Sequence, residues 1–249
     1  MPITVKTFPS KDEAVRVAAD AFESLIRERA KAGKPAILGL ATGSTPIALY
    51  KELIRRHKET GLSFKNVITF NLDEYCGLSG DHDQSYRYFM NQQLFDHVDI
   101  DKANTHVLLG TLPDAALDAH CRHYEEAIKA AGGIDIQLLG IGRTGHIGFN
   151  EPPSPADTRT RKVHLDELTR KDNAVFFGDI EKVPHYAVTM GCGTVLDAKK
   201  VILLAWGDAK ADIVRKSIKD TPSEQVPASW LQKHKDCLFI LDAAAASKL

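Results

Sequence analysis

The sequence predicts an α/β protein built on a doubly wound, mostly parallel sheet with helices on both faces. Two observations predict it. Short apolar runs alternate with longer helical patterns along nearly the whole chain, the order of repeated βαβ units. Several of those runs then end in glycines, hydroxyls or acids. Parallel sheets carry their ligand-binding loops at such carboxyl ends.

The elements follow in order. Thr4–Phe8 reads as a strand, and about Lys11–Ala32 as a helix. Ser10 with Glu13 is a capping box that starts this helix. Strand Ala36–Ala41, helix Ile47–Thr60 and strand Val67–Leu72 come next. A short helix near Ser85–Phe95 and a longer one near Ala115–Ala131 precede a buried strand, Ile134–Leu139. The stretch from Glu151 to Pro184 lacks clear periodicity and is long for a connection, so a lid over 151–184 is expected. Regular alternation resumes with strand Ala187–Met190, a helical turn at Thr194–Asp197, strand Val201–Ala205, helix Ala209–Ser217 and strand Cys237–Asp242.

Composition bounds the rest. The 249 residues, 43% hydrophobic and 26% charged, suit one α/β domain over 1–249. A net charge of −1 without a basic run gives no nucleic-acid surface. No apolar stretch approaches the ~20 residues of a membrane span. Met1-Pro2-Ile3-Thr4-Val5-Lys6 lacks the apolar segment of a secretory signal, so a cytoplasmic location is expected. Cys76, Cys121, Cys192 and Cys237 form no Cys-x-x-Cys pair and read as free thiols. His120 and His123 on a helix lack a third ligand, and Arg122 and Glu125 point to a solvated face. Asp81-His82-Asp83 reads as a polar loop. No metal site is expected.

Three segments carry chemistry. Ile134–Leu139 runs into Gly140-Ile141-Gly142-Arg143-Thr144-Gly145-His146-Ile147-Gly148-Phe149-Asn150-Glu151-Pro152. Its glycines permit sharp turns and close approach to a ligand, and His146 and Glu151 follow. Taken alone, this is also what a plain turn with a solvated histidine and glutamate looks like. A second strand enters Thr42-Gly43-Ser44-Thr45, and Pro46 opens a helix. Free N–H groups and three hydroxyls there suit an anion, phosphate above all. The competing reading is an ordinary helix capped by Ser44 or Thr45. The segment is neither a Walker loop nor a Gly-x-Gly-x-x-Gly fingerprint, so no nucleotide is indicated. The third strand ends in Asn71-Leu72-Asp73-Glu74-Tyr75. Adjacent side chains on extended backbone point to opposite faces, so one acid enters a site and the other supports a neighbour. Three such ends along one sheet edge point jointly to an anion-binding enzyme site.

These segments, with Thr189-Met190-Gly191-Cys192-Gly193-Thr194, make the chain resemble glucosamine-6-phosphate deaminases of the glucosamine/galactosamine-6-phosphate isomerase superfamily. That superfamily also contains 6-phosphogluconolactonase. The resemblance runs from about Ala36 to Asp242. It implies a modified Rossmann-like fold and conversion of glucosamine 6-phosphate and water to fructose 6-phosphate and ammonia. No metal, nucleotide or redox cofactor is required. By the same resemblance Asp73 is the base that moves the C2 proton to C1, and His146 opens the ring. Glu151 orients His146, and Thr144 stands where other members carry Asp or Asn. Ala41, Thr42, Gly43, Ser44, Thr45, Glu74, Gly142 and Lys210 fall on the substrate side, with Lys210 on the phosphate. The runner-up readings are a lactonase-type hydrolase and a non-catalytic sugar-phosphate-binding protein.

The chain departs from the family pattern at Thr144 and at Val175. Many members carry a phosphate-binding Arg where Val175 stands, so either the anion site is weaker here or another base, such as Arg161 or Arg170, substitutes. Val163 replaces a lysine that allosteric hexameric members use for an activator, and the chain stops soon after Asp242, without their extra C-terminal helix. The expected partners are therefore a small-molecule amino sugar phosphate and, at most, further copies in a small homo-oligomer; a monomer is equally compatible.

Overall fold

The computed structural model describes residues 3–249. Seven strands form one wholly parallel sheet. They are β1 (Thr4–Phe8), β2 (Ala36–Leu40), β3 (Val67–Asn71), β5 (Thr105–His106), β6 (Ile136–Leu139), β9 (Lys200–Ala205) and β10 (Cys237–Asp242). Their spatial order is β1-β10-β9-β6-β2-β3-β5. Every residue of β2 and β6 is buried. A strand apolar on both faces must be covered on both, and helices supply the cover. Among them, α1 (Lys11–Lys31) and α2 (Ile47–Thr60) contribute Phe22, Ile26, Leu49, Tyr50 and Leu53 to the core. Each such side chain is worth about 1.5–3 kcal/mol on burial. Ser10 caps α1 as expected, its hydroxyl accepting from the Glu13 N–H at 3.3 Å.

Two expectations are corrected. Strand β8 (Tyr186–Thr189) was expected to continue the parallel alternation. It lies instead in a separate antiparallel sheet of order β4-β8-β7, with β4 at Asp73–Tyr75 and β7 at Arg161–His164. Leu72 joins the sheets: its N–H donates to Leu40 O at 2.9 Å, and its carbonyl accepts from the Met190 N–H at 2.7 Å. Nor is the 151–184 segment irregular. It holds β7, helix α5 (Glu167–Phe177) and a 3-10 turn at Ile180–Lys182. Asp166 caps α5 through the Leu168 N–H, and Gly178 ends it at φ 75°, a left-handed backbone that favours glycine. The buried face of α5 is Thr169 and Arg170 rather than an apolar stripe, so hydrophobic periodicity did not mark it.

The remaining helices are α3 (Tyr86–Gln93), α4 (Asp114–Ala130), α6 (Cys192–Leu196) and α7 (Ala211–Lys219). Glu125 on α4 is not on a solvated face. It accepts from the Thr160 N–H at 2.9 Å and from the Thr194 hydroxyl at 2.5 Å, and pairs with Arg159 at 2.5 Å. It thereby ties α4 to the residues preceding β7 and to α6.

The chain leaves β2 toward β3 on one side, while β6 flanks β2 on the other. The strand order therefore reverses between β2 and β6. Ligands of open α/β sheets bind at the carboxyl end of such a reversal.

Candidate active site

A cleft of about 440 Å³ opens there. Ala41–Thr45 after β2, Leu72 and Asp73 after β3, and Gly140–Arg143 with His146, Gly148 and Phe149 after β6 form its floor. Helix α5 contributes Thr169, Asp172, Asn173, Val175 and Phe176, Tyr86 comes from α3, and Ala209 and Lys210 precede α7. A second hollow, of about 350 Å³, lies near the amino ends of β2 and β3. Its lining has two lysines and no carboxylate, so it offers no acid–base pair.

The β2–α2 loop is held at both ends. Tyr50 donates its hydroxyl to Ala41 O at 2.5 Å, and Trp206 Nε1–H donates to Thr45 O at 3.2 Å. Gly43 takes φ 87°. Neither Ser44 nor Thr45 caps α2: Pro46 occupies the N-cap position and no side chain bonds the first turn. The capped-helix reading is corrected: the cleft is lined by the Ala41–Thr45 loop that leads into α2, and no side chain takes the first-turn N–H groups.

Asp73 is 5% exposed and borders the cleft. Burial, with the Glu74 charge behind it, pushes its pKa well above the usual carboxylate range. No hydrogen bond offsets this. Glu74 points away from the cleft, as alternation requires. Its carboxylate accepts from the N–H groups of Tyr75 at 2.8 Å, Tyr86 at 2.9 Å and Arg87 at 2.9 Å. Burial outweighs those donors and raises its pKa to about 7. The expected substrate contact of Glu74 is corrected to a support of the α3 start.

His146 turns back over Gly142. A Cβ on Gly142 would sit 2.0 Å from the imidazole Nε2 and Cε1, so only glycine admits the ring. The Gly142 N–H donates to His146 O at 2.9 Å, closing the turn. His146 Nδ1 lies 3.0 Å from Thr144 Oγ1 and 3.4 Å from Glu151 Oε2. An ionised carboxylate only accepts. Glu151 Oε2 makes no hydrogen bond, so its contact with Nδ1 is one of charge; a carboxylate there favours a proton on Nδ1 and an Nε2 lone pair free to act as a base. Burial works to raise the Glu151 pKa, but the contact with His146, the imidazole's charge and the Thr169 hydroxyl hold it below the usual value. Thr169 donates to Glu151 Oε1. Thr144 and Glu151 thus stand behind His146 rather than in the cleft wall.

Lys210 lines the cleft and donates from Nζ to Ile141 O at 2.7 Å. Burial and then the nearby Arg143 lower its pKa. Neither expected substitute at the anion end is there. Arg161 donates to Asn150 Oδ1 at 2.9 Å, and buried Arg170 serves the carbonyls of Ile180 and Val183. Arg143 lines the cleft instead, paired with Asp172 at 2.8 Å. Val175 is 76% exposed at the rim. Sequence reasoning missed Tyr86, Arg143, Asp172 and Phe176 as cleft residues. Arg143 lay inside the glycine loop, and Asp172 and Phe176 lay inside the stretch expected to form a lid over 151–184; only Tyr86 lay outside a segment already singled out.

An uncapped helix start, a buried unpaired carboxylate and a carboxylate-backed imidazole around one cleft define an acid–base enzyme for an anionic substrate. Comparison with known proteins agrees. The sequence profile of the glucosamine-6-phosphate isomerases/6-phosphogluconolactonase family matches residues 9–240. The chain belongs to this family. It is 55% identical over 226 residues to a glucosamine-6-phosphate deaminase of Shewanella woodyi, covering 91% of this chain and 85% of that one. Against the glucosamine-6-phosphate deaminase of Cellvibrio japonicus, identity is 53% over 239 residues, covering 96% and 89%. A solved monomeric glucosamine-6-phosphate deaminase superposes with a TM-score of 0.94 at 43% identity, covering 99% of this chain and 100% of that one. The 6-phosphogluconolactonase of Trypanosoma brucei, at 20% identity and TM-score 0.79, shares the fold.

Proposed function

We propose that this protein is a glucosamine-6-phosphate deaminase that converts glucosamine 6-phosphate and water to fructose 6-phosphate and ammonia. The observation that carries the proposal is the pairing, across one cleft, of the buried, unbonded Asp73 with His146 backed by Glu151. The deaminase relatives described above support the substrate class.

The substrate's phosphate lies against Thr42–Thr45 and the start of α2, with Lys210 beside it. Phosphate is favoured there by free N–H donors and the helix dipole. His146 Nε2 takes the anomeric hydroxyl proton and passes it to the ring oxygen, and the pyranose opens. Glu151 stabilises the imidazolium that forms, and Thr144 holds the ring in plane. Asp73 removes the C2 proton and returns it to C1, while the substrate's own C2 ammonium gives a proton to O1, so that C1 becomes a CH2OH and C2 an iminium. A raised pKa makes this carboxylate a stronger base than an exposed one. The resulting iminium at C2 adds water and expels ammonia. Glu74 acts indirectly, by fixing α3 and Tyr86. The 151–184 segment covers the cleft through α5. The monomeric relative supports a monomeric form.

The test is ammonia release from glucosamine 6-phosphate and from galactosamine 6-phosphate, alongside hydrolysis of 6-phosphogluconolactone. Turnover of glucosamine 6-phosphate with equimolar fructose 6-phosphate is expected. Lactone hydrolysis without ammonia release contradicts the proposal.

A further inference from the structure

Three charged groups in the cleft are not used by the acid–base steps. Arg143 follows β6, Lys210 precedes α7, and Asp172 lies on α5. Arg143 Nη2 donates to Asp172 Oδ1 at 2.8 Å, with the two side chains 64% and 40% exposed. Arg143 stands close enough to Lys210 to disfavour the lysine's charged form. Lys210 Nζ sits on the carbonyl of Ile141, two residues from Arg143, so two cations share the cleft that the Thr42–Thr45 loop also lines. Asp172 is the carboxylate that pairs with one of them, and Lys210 has its ammonium on a carbonyl. The positive charge is only partly neutralised.

Exposed Arg–carboxylate pairs are weak, about 0.2–1 kcal/mol. A guanidinium fork also matches a phosphate bidentately, with two parallel charge-assisted bonds. A phosphate dianion arriving among these donors is the stronger partner for Arg143.

We propose that Arg143 is the exchangeable clamp for the substrate's phosphate, held ready by Asp172 until the phosphate displaces the carboxylate. The proposal deepens the sugar-phosphate reading and rests on it. Asp172 is then a built-in competitor. It keeps the guanidinium aimed along the cleft and sets the affinity that an incoming anion must exceed. Dianionic phosphate esters pass that threshold, and neutral sugars do not. Arg143 is a positioning residue, because it touches the phosphate and not the reacting carbons.

The experiment measures binding of inorganic phosphate by calorimetry, and KM and kcat for glucosamine 6-phosphate. It uses wild type, Arg143→Ala, Arg143→Lys, Asp172→Asn and the Arg143→Ala/Asp172→Asn double variant. Arg143→Ala should weaken phosphate roughly 10–150-fold, the worth of lost charge-assisted bonds. It should raise KM far more than it lowers kcat. Arg143→Lys should restore part of the affinity, because charge returns without the fork. Asp172→Asn should tighten phosphate severalfold, and this gain should largely vanish in the double variant.

Three results overturn the exchange. Arg143→Ala could leave phosphate affinity unchanged. Asp172→Asn could weaken phosphate as Arg143→Ala does, which would make the pair a structural tie between the loop and α5. Asp172→Asn could also tighten phosphate equally with and without Arg143, which would make Asp172 only a distant field. These readouts do not need turnover. If phosphate constants move as expected while glucosamine 6-phosphate releases no ammonia, the deaminase reading fails and the clamp stands. A wild type that binds no phosphate overturns the clamp and leaves the deaminase reading to the ammonia assay.

Discussion

Asp73 and Glu74 are neighbours in sequence, both buried, and opposite in consequence. Asp73 faces the cleft without a hydrogen bond, and its pKa is raised. A raised folded-state pKa means that its contribution to stability is full below about pH 4, the unfolded value, and is lost as pH rises through the folded value. Asp73→Asn removes that loss. The variant should melt above wild type at pH 8, by roughly 2–4 °C for each kcal/mol recovered, and the gap should narrow as pH falls toward 4. A melting temperature equal to wild type across this range would mean that Asp73 is not held as a strained base. At Thr144 the effect is smaller. Its hydroxyl lies 3.0 Å from His146 Nδ1, and Thr144→Val removes that bond while nearly keeping shape. A fall in kcat of about 1 kcal/mol, roughly fivefold, is expected. An unchanged rate would make Thr144 a spectator and leave orientation of the imidazole to Glu151 alone.

At the scale of elements, Glu74 does for α3 what a cap does for an isolated helix. Its two oxygens take three N–H groups, two of them from Tyr86 and Arg87 in the first turn. Glu74→Ala would leave buried donors without partners, at about 1–3 kcal/mol each. Thermal melting should show a loss of several degrees, opposite in sign to Asp73→Asn. No loss would mean that water replaces the carboxylate. Most elements were legible in the sequence because their apolar patterns are strong. Strand Val67–Leu72, helix Ile47–Thr60 and the Ser10 cap all lie within a residue or two of expectation. The small antiparallel sheet was not legible, because β4 and β7 are three and four residues long and their pairing is set by tertiary position. Helix α5 carried readable caps at Asp166 and Gly178, but its polar inner face concealed it. The site shows the same division. The structure brings residues of the glycine loops to the cleft or behind it, whereas Tyr86, Asp172 and Phe176 reach it from helices whose sequences do not mark them as cleft residues.

At the scale of the molecule, reversal of strand order at β2 and β6 brings three loop systems to one edge, and α5 lines the cleft beside them. The resemblance implies that Val163 replaces a lysine with which allosteric members bind their activator, N-acetylglucosamine 6-phosphate, and β7 pairs within its own chain. The protein should therefore behave as a particle near its chain mass of 27.4 kDa in light scattering. It should also show hyperbolic kinetics that N-acetylglucosamine 6-phosphate does not change. A hexamer with sigmoidal kinetics relieved by that compound would contradict this. The most direct test is single-substitution kinetics at Asp73. In Asp73→Asn, with inorganic phosphate inhibition as the internal control, ammonia release from glucosamine 6-phosphate should fall by about 10²–10⁴-fold while phosphate still inhibits as in wild type. Near-full turnover with phosphate inhibition intact would show that another group moves the C2 proton and would contradict the assignment.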